Sequence, residues 1–233
     1  MYYTPIHQLL GARGLRSRAP PNATIAMGRV ESGRLLDALL KPTTHTYVEW
    51  GSGGSTALVS ELIVTGAVPP GFRAFSIESS TKWMDDLLAR SPQILQAMQK
   101  RQLKLVHGDM GATGFLGYPR NFNPDDHTRA LEYVRLDKRL GGRKADLVLV
   151  DGRFRLACMI EALAHLHKKR HHTPVLLLHD YMPQDKARAA YDLARAAYDF
   201  RYTNGTLATL TPKQHVARAD MGELLEQALG MPI

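Results

Sequence analysis

The chain has 233 residues, 44% of them hydrophobic and 22% charged, with one cysteine and a formal net charge of +8. Those proportions are those of a soluble globular protein with one sizeable core, and they exclude a disordered, collagenous or disulfide-stapled chain. The positive charge draws anionic partners, nucleic acid among them, and no apolar run approaches the roughly 18 residues that a membrane span needs.

Residues 1–30 lack Asp and Glu and carry Arg13, Arg16, Arg18 and Arg29, a faint likeness to an organelle transit peptide; an arm packed across the core is the preferred use. Apolar strands and amphipathic helices then alternate, as in a parallel sheet covered on both faces. Strands are predicted at 46–50, 73–77, 103–107, 146–150 and 175–178, followed by a hairpin over 200–210 turning at Asn204-Gly205, where both positions tolerate positive φ. Helices are predicted at 31–40, 55–64, 82–90, 94–101, 127–140, 156–168 and 186–198. The expected fold class is α/β, a Rossmann-like doubly wound, mostly parallel sheet ending in an antiparallel hairpin. The expected organisation is an N-terminal arm and helix over 1–45, a Rossmann-like domain over 46–212 and a C-terminal tail or helix over 213–233. Cys158 lies in an apolar stretch, which suits a buried thiol in a reducing, cytoplasmic setting.

In an open α/β sheet the ligand sits beyond the carboxyl ends of the strands. Those ends are polar at five places: Glu49, Glu78, Asp109, Asp151 and the pair His179-Asp180. Single residues of this kind cap helices, but acids at all five describe an acid-lined crevice. The first end runs into Gly51-Ser52-Gly53-Gly54-Ser55-Thr56. A dinucleotide turn wants a third glycine where Thr56 stands, and a phosphate-binding loop wants Gly-Lys before its hydroxyl. Glu49 ahead of the turn would repel a pyrophosphate, so a ligand with a cationic end fits better.

These residues resemble the class I S-adenosylmethionine-dependent methyltransferases. The acid-x-Gly-x-Gly turn is matched by Glu49-Trp50-Gly51-Ser52-Gly53, the acid after strand two by Glu78, and the Asp after strand three by Asp109. The resemblance implies S-adenosylmethionine as cofactor. Its methionine end would be held by Glu49, Gly51, Ser52, Gly53 and Ser55, its ribose by Glu78 with Ser79, and its adenine by Asp109 with Met110. Asp151 would close the cofactor site. The stretches from Glu49 to Thr56, Gly117 to Pro119, Asp151 to Arg155 and His179 to Tyr181 look similar to a small subgroup that brings no acceptor with it.

Methyl transfer to a hydroxyl requires a proton acceptor. Asp151, His179 and Asp180 stand where that group belongs, and His179 is the first choice because neutral imidazole accepts a proton near neutral pH. Asp151 and Asp180 also match two metal-ligand positions of catechol-type O-methyltransferases, but Tyr181 replaces the usual Asn or Asp, so a divalent metal is not favoured. Arg153 and Arg155 offer forked donors to an anionic substrate, or else Arg153 pairs with Asp151 or Asp180. Tyr118 and Tyr181 are candidate acceptor-pocket walls, while Trp50 and Trp83 read as packing residues. O-methylation of a small-molecule or glycan-like acceptor is the preferred function. A nicotinamide reductase lacks its Tyr/Lys pair here. The basic clusters Arg135/Lys138/Arg139 with Arg143/Lys144 and Lys168/Lys169/Arg170 keep a nucleic-acid-binding or nucleic-acid-modifying protein as an alternative, and a methyltransferase fold acting only as a binding protein is another.

Overall fold

Short segments rich in Val, Leu and aromatic residues form a seven-stranded sheet in the computed structural model, which describes residues 3–114, 117–123, 127–166, 173–182, 186–201, 205–214 and 218–232. A small antiparallel pair, β1 (Thr4–Pro5) and β2 (Thr24–Ile25), brackets α1 (Ile6–Gly11) and precedes α2 (Arg29–Leu39). The large sheet is built from β3 (Thr46–Trp50), β4 (Arg73–Glu78), β5 (Leu103–His107), β6 (Leu147–Val150) and β7 (Val175–Leu178), with β8 (Tyr198–Arg201) and β9 (Ala208–Pro212) at one edge. Its order is β5-β4-β3-β6-β7-β9-β8. All neighbours run parallel except β9, which is antiparallel to both β7 and β8. From β3 the chain moves outward through β4 to β5 and returns beside β3 as β6. That reversal opens a crevice between the carboxyl ends of β3 and β6.

Side chains alternate across the sheet, so the two faces carry separate cores. Val48, Trp50, Val148 and Val150 pack on one side against α6 (Thr128–Val134), α7 (Asp137–Leu140) and α8 (Arg155–His165). Tyr47, Leu147 and Leu149 pack on the other with α1, α2, α3 (Gly54–Thr65) and α5 (Pro92–Gln99). β3 and β6 are buried along their whole length, which is why they read as nearly unbroken apolar runs. α3 stops at Gly66 in the left-handed conformation, and α4 (Thr81–Arg90) starts where Ser80 Oγ accepts from the Trp83 N–H. Pro92 opens α5, where its missing N–H is not needed.

Two predicted helices differ. The span 127–140 is broken into α6 and α7, because Arg135 adopts an extended conformation between them. The span 186–198 is a 3-10 segment, Lys186–Ala196, and Tyr198 already belongs to β8. The predicted hairpin is formed by β8 and β9; Asn204 of its turn and the cluster Lys168/Lys169/Arg170 lie outside the described residues. A last helix, α9 (Arg218–Leu229), packs on α8. No helix among the described residues is long and apolar enough to cross a membrane.

The N-terminal segment is tied to the far edge of the sheet by one carboxylate. Glu31 accepts from the Gly28 N–H at 2.8 Å and from the N–H and hydroxyl of Thr206, which precedes β9. The Thr206 carbonyl in turn accepts from the Tyr181 N–H at 2.8 Å, which fixes the chain just beyond β7.

Candidate active site

A cavity of about 460 Å³ occupies the crevice. It is floored by Gly51 to Ser55 and closed by groups from three further strand ends, Glu78 at the end of β4, Asp151 after β6 and His179-Asp180 after β7.

The floor depends on two glycines for different reasons. Gly51 has φ +92, and a Cβ there would lie 2.7 Å from the Asp151 backbone, so only glycine lets β3 and β6 meet. Gly53 is extended, and a Cβ on it would meet nothing within 4 Å. The space beside Gly53 belongs to the cavity, and a side chain would fill it.

Glu49 does not reach the cavity. β3 turns its odd-numbered side chains toward α3, and Glu49 is wholly buried there, accepting from Tyr47 Oη at 2.8 Å and Thr56 Oγ1 at 2.5 Å. Thr56 Oγ1 also accepts from the Gly53 N–H at 2.9 Å, and Ser52 Oγ lies 2.7 Å from Ser76 Oγ. Burial pushes the Glu49 carboxyl up, against the hydroxyls of Ser76, Thr56, Ser55 and Tyr47. The acid expected to hold a ligand's amino end therefore holds the glycine turn instead, through the threonine that replaces the third glycine. Thr56→Val leaves both Glu49 and the Gly53 N–H short of a partner, and is expected to lower the unfolding free energy by about 1–3 kcal/mol. Thr56→Ser restores the hydroxyl and most of that loss. Urea unfolding of the two variants checks this.

Glu78 is where the crevice expects it. Oε1 accepts from the N–H groups of Ser79 and Ser80 at 2.7 and 2.9 Å and from Ser79 Oγ at 3.2 Å, while Oε2 accepts from the Ser52 N–H at 3.1 Å. Burial pushes its carboxyl up, and the backbone donors work against that. Trp83, read from the sequence as a packing residue, is 40% exposed and lines the cavity, with Nε1 donating to the Ser52 carbonyl at 2.7 Å. Its signal was the capped helix start at Ser80, which places Trp83 in the first turn after the strand end at Glu78.

Asp109 and Met110 are not brought to this cavity. Asp109 is exposed and accepts from the Gly111 N–H at 2.7 Å. Met110 is buried and lines a separate cavity of about 300 Å³ with Phe122, Arg129 and Phe154.

At the opposite wall, His179 Nδ1 lies 2.8 Å from Asp151 Oδ1, and the residue is 6% exposed. Burial acts to lower the His179 pKa, but the carboxylates of Asp151 and Asp180 outweigh it and raise it above its ordinary value. Arg155 is buried beneath them. It donates to the carbonyls of Gly152 and His179 at 2.9 and 2.6 Å, and its Nη2 lies 3.3 Å from Asp180 Oδ2 and 3.6 Å from Asp151 Oδ1. Arg155 thus ties the ends of β6 and β7 together. Phe154 and Asp180, on either side of it, both have positive φ, 51° and 55°.

Asp151, His179 and Asp180 have ligand atoms within 4.8 Å of one another, a spacing that would hold a cation. The Arg155 guanidinium already supplies positive charge to both carboxylates, and Asp151 is engaged with His179. These residues do not fit a divalent ion without first giving up Arg155. Tyr181 is buried and bonded to Asp192 at 2.7 Å, away from the cavity. Arg153 lines the cavity with its guanidinium 4.1 Å from the Tyr118 ring centroid, and makes no ion pair among the described residues. The pairing with Asp151 and Asp180 that the sequence offered to Arg153 is made by Arg155 instead.

No family model and no curated protein matches the chain. It is similar in structure to a methyltransferase-like protein from Silicibacter pomeroyi, with 22% identity over 89% of this chain and 97% of that one and a TM-score of 0.63. It is also similar to an O-methyltransferase from Bacillus cereus in complex with S-adenosylhomocysteine, at 14% identity over 89% of each chain and a TM-score of 0.52. The O-methyltransferase TomG from Streptomyces achromogenes, involved in tomaymycin synthesis and in complex with S-adenosylmethionine, matches at 14% identity over 90% of this chain and 88% of its own, with a TM-score of 0.53. The shared architecture is the class I methyltransferase fold.

Proposed function

We propose that the protein is an S-adenosylmethionine-dependent methyltransferase acting on a hydroxyl of a small-molecule or glycan-like acceptor that carries an anionic group. The observation that carries this reading is the crevice itself, in which an open glycine floor and a strand-end carboxylate face a His179-Asp151 pair across about 460 Å³. That volume lies in the range of about 300–1,000 Å³ typical of small-ligand sites.

The residues present fit the cofactor. The space beside Gly53 is open, Ser52 and Ser55 line the same floor, and Glu78 with Ser79 offers acceptor and hydroxyl chemistry to vicinal hydroxyls. When bound, the cofactor supplies an electrophilic methyl on a sulfonium. The chain's own task is to orient the acceptor and remove its proton. His179, with Nδ1 held by Asp151, takes the proton from the acceptor hydroxyl at Nε2, and Arg155 holds Asp151, Asp180 and the His179 carbonyl in register. Arg153, stacked on Tyr118, is the forked donor for a carboxylate or phosphate on the acceptor.

Calorimetric titration with S-adenosylhomocysteine tests the cofactor assignment. Saturable one-to-one binding is expected; no heat up to about 1 mM ligand, with the fold intact, sinks it. Gly53→Leu is expected to weaken that binding at least about tenfold, since a pocket-filling side chain competes for ligand volume, while leaving unfolding nearly unchanged.

A further inference from the structure

A third concavity, of about 320 Å³, lies where β4 and β5 begin. Six residues from Arg73 to Glu78 separate it from the crevice, about 16–20 Å along a strand. Arg73 opens β4, Arg101 and Lys104 flank the start of β5, and Lys138, Arg139 and Arg143 come from α7 and the turn after it. Among the described residues, none that lines it is acidic.

Among the described residues Arg13 pairs with Asp37, Arg195 with Asp192 and Arg155 with two acids. Here Arg73, Arg101, Lys104, Lys138 and Arg143 make no ion pair among the described residues. Arg139 donates to the carbonyls of Tyr133 and Glu132. Cations from three separate segments facing one hollow repel each other unless an anion lies between them.

Backbone conformation gives an independent indication. Arg101 has φ 55°, in the turn where its N–H donates to Met98 and the next N–H to Ala97, the place where a helix usually ends on glycine. Among the described residues three non-glycines have positive φ, and the other two, Phe154 and Asp180, flank the crevice. Left-handed strain on a long side chain persists where that side chain has work to do. The cavity's apolar lining, Phe75, Leu103 and Leu140, is buried, so no aromatic face is offered to a base. Its chemistry is directed at an anion rather than at a base.

We propose that this hollow is a binding site for a short run of phosphate groups, free or carried by a nucleoside. It stands apart from the crevice and does not depend on the methyltransferase reading. The full chain is titrated by calorimetry with inorganic tripolyphosphate and, in a parallel arm, with a nucleoside triphosphate. Saturable binding of one tripolyphosphate is expected, weakening at least about tenfold between 50 and 200 mM salt. Equal affinity in the two arms shows that phosphates alone are read, and tighter binding in the second identifies the nucleoside-borne form. The double variant Lys104→Gln/Arg143→Gln is expected to lose at least about tenfold in affinity, and Arg153→Gln at the crevice to lose nothing. Arg101→Gly is expected to raise the thermal midpoint by relieving the left-handed strain while weakening tripolyphosphate binding. Absence of saturation up to a few millimolar, affinity untouched in the double variant, or affinity that follows Arg153 would overturn the proposal. So would a ten-nucleotide RNA that displaces tripolyphosphate and binds at least about tenfold more tightly, since that would make the hollow part of a nucleic-acid surface.

Discussion

Arg155→Met is expected to lower the unfolding free energy by about 3 kcal/mol, the low end for removing one partner of a buried ionic cluster. The low end applies because Asp151 and Asp180 keep 26% and 30% of their side-chain surface in water, while the arginine keeps 6%. Methionine fills the aliphatic path but leaves the two carboxylates facing each other and the carbonyls of Gly152 and His179 without their donor. For a chain of this size the thermal midpoint falls by roughly 6–12 °C. Arg155→Lys should recover less than half of that loss, since a single ammonium cannot serve two carbonyls and two acids in the guanidinium's fixed fork. The same variant tests the cation question. With the guanidinium gone, Asp151, His179 and Asp180 resemble a vacant metal site, so millimolar Mg²⁺ or Mn²⁺ should raise the midpoint of Arg155→Met and leave the parent unmoved. A midpoint change within about 1 °C in Arg155→Met would remove Arg155 as the tie between β6 and β7.

The parts of the fold legible from sequence were those set by local pattern. β3, β5 and β7 begin and end where predicted because each is a short apolar run bounded by turn or polar residues. The break at Arg135 was not legible, since apolar spacing continues across it through Leu131, Val134, Leu136 and Leu140, and only the extended backbone of Arg135 separates the two helices. Residue type at the strand ends was legible, but the direction of each side chain was not. Glu49 has the right chemistry and the wrong parity: it shares a face with Tyr47, while Val48 and Trp50 share the other with Val148 and Val150. Thr56 was the available signal, because a hydroxyl where a glycine was wanted is a group in need of a buried partner. Asp109 and Met110 illustrate a different limit. They stand after β5, at the edge of the sheet, where the following loop rather than the strand decides what faces the crevice. Arg155 was seen as a donor but not as a tie, since Asp151 and Asp180 come from different strands and only the β6–β7 register joins them.

His179→Ala is expected to lower turnover by about 10²–10⁴-fold, the range for loss of a positioned general base, with S-adenosylhomocysteine affinity little changed. The pH dependence separates a base from a bystander. Burial works to depress the His179 pKa, yet Asp151 at 2.8 Å and the nearby Asp180 outweigh it and raise it above the ordinary histidine value. Turnover should therefore climb as pH rises through a limb displaced above the ordinary histidine value, because only the neutral ring accepts a proton. Asp151→Asn removes the carboxylate that stabilises the imidazolium, so its limb should move to lower pH, while its maximum falls about 10²-fold because the ring loses its fixed tautomer. Stability must move with the same group and in the opposite sense. A folded-state pKa raised above the unfolded one contributes stability that is complete below about pH 6.5 and disappears as pH rises through the folded value. The parent's thermal midpoint should fall across that window, and the fall should be absent in His179→Gln, which cannot be charged. An activity limb that stays in place in Asp151→Asn, or a midpoint that falls equally in His179→Gln, would mean that another group titrates and that His179 is a strand-end residue with no part in proton transfer.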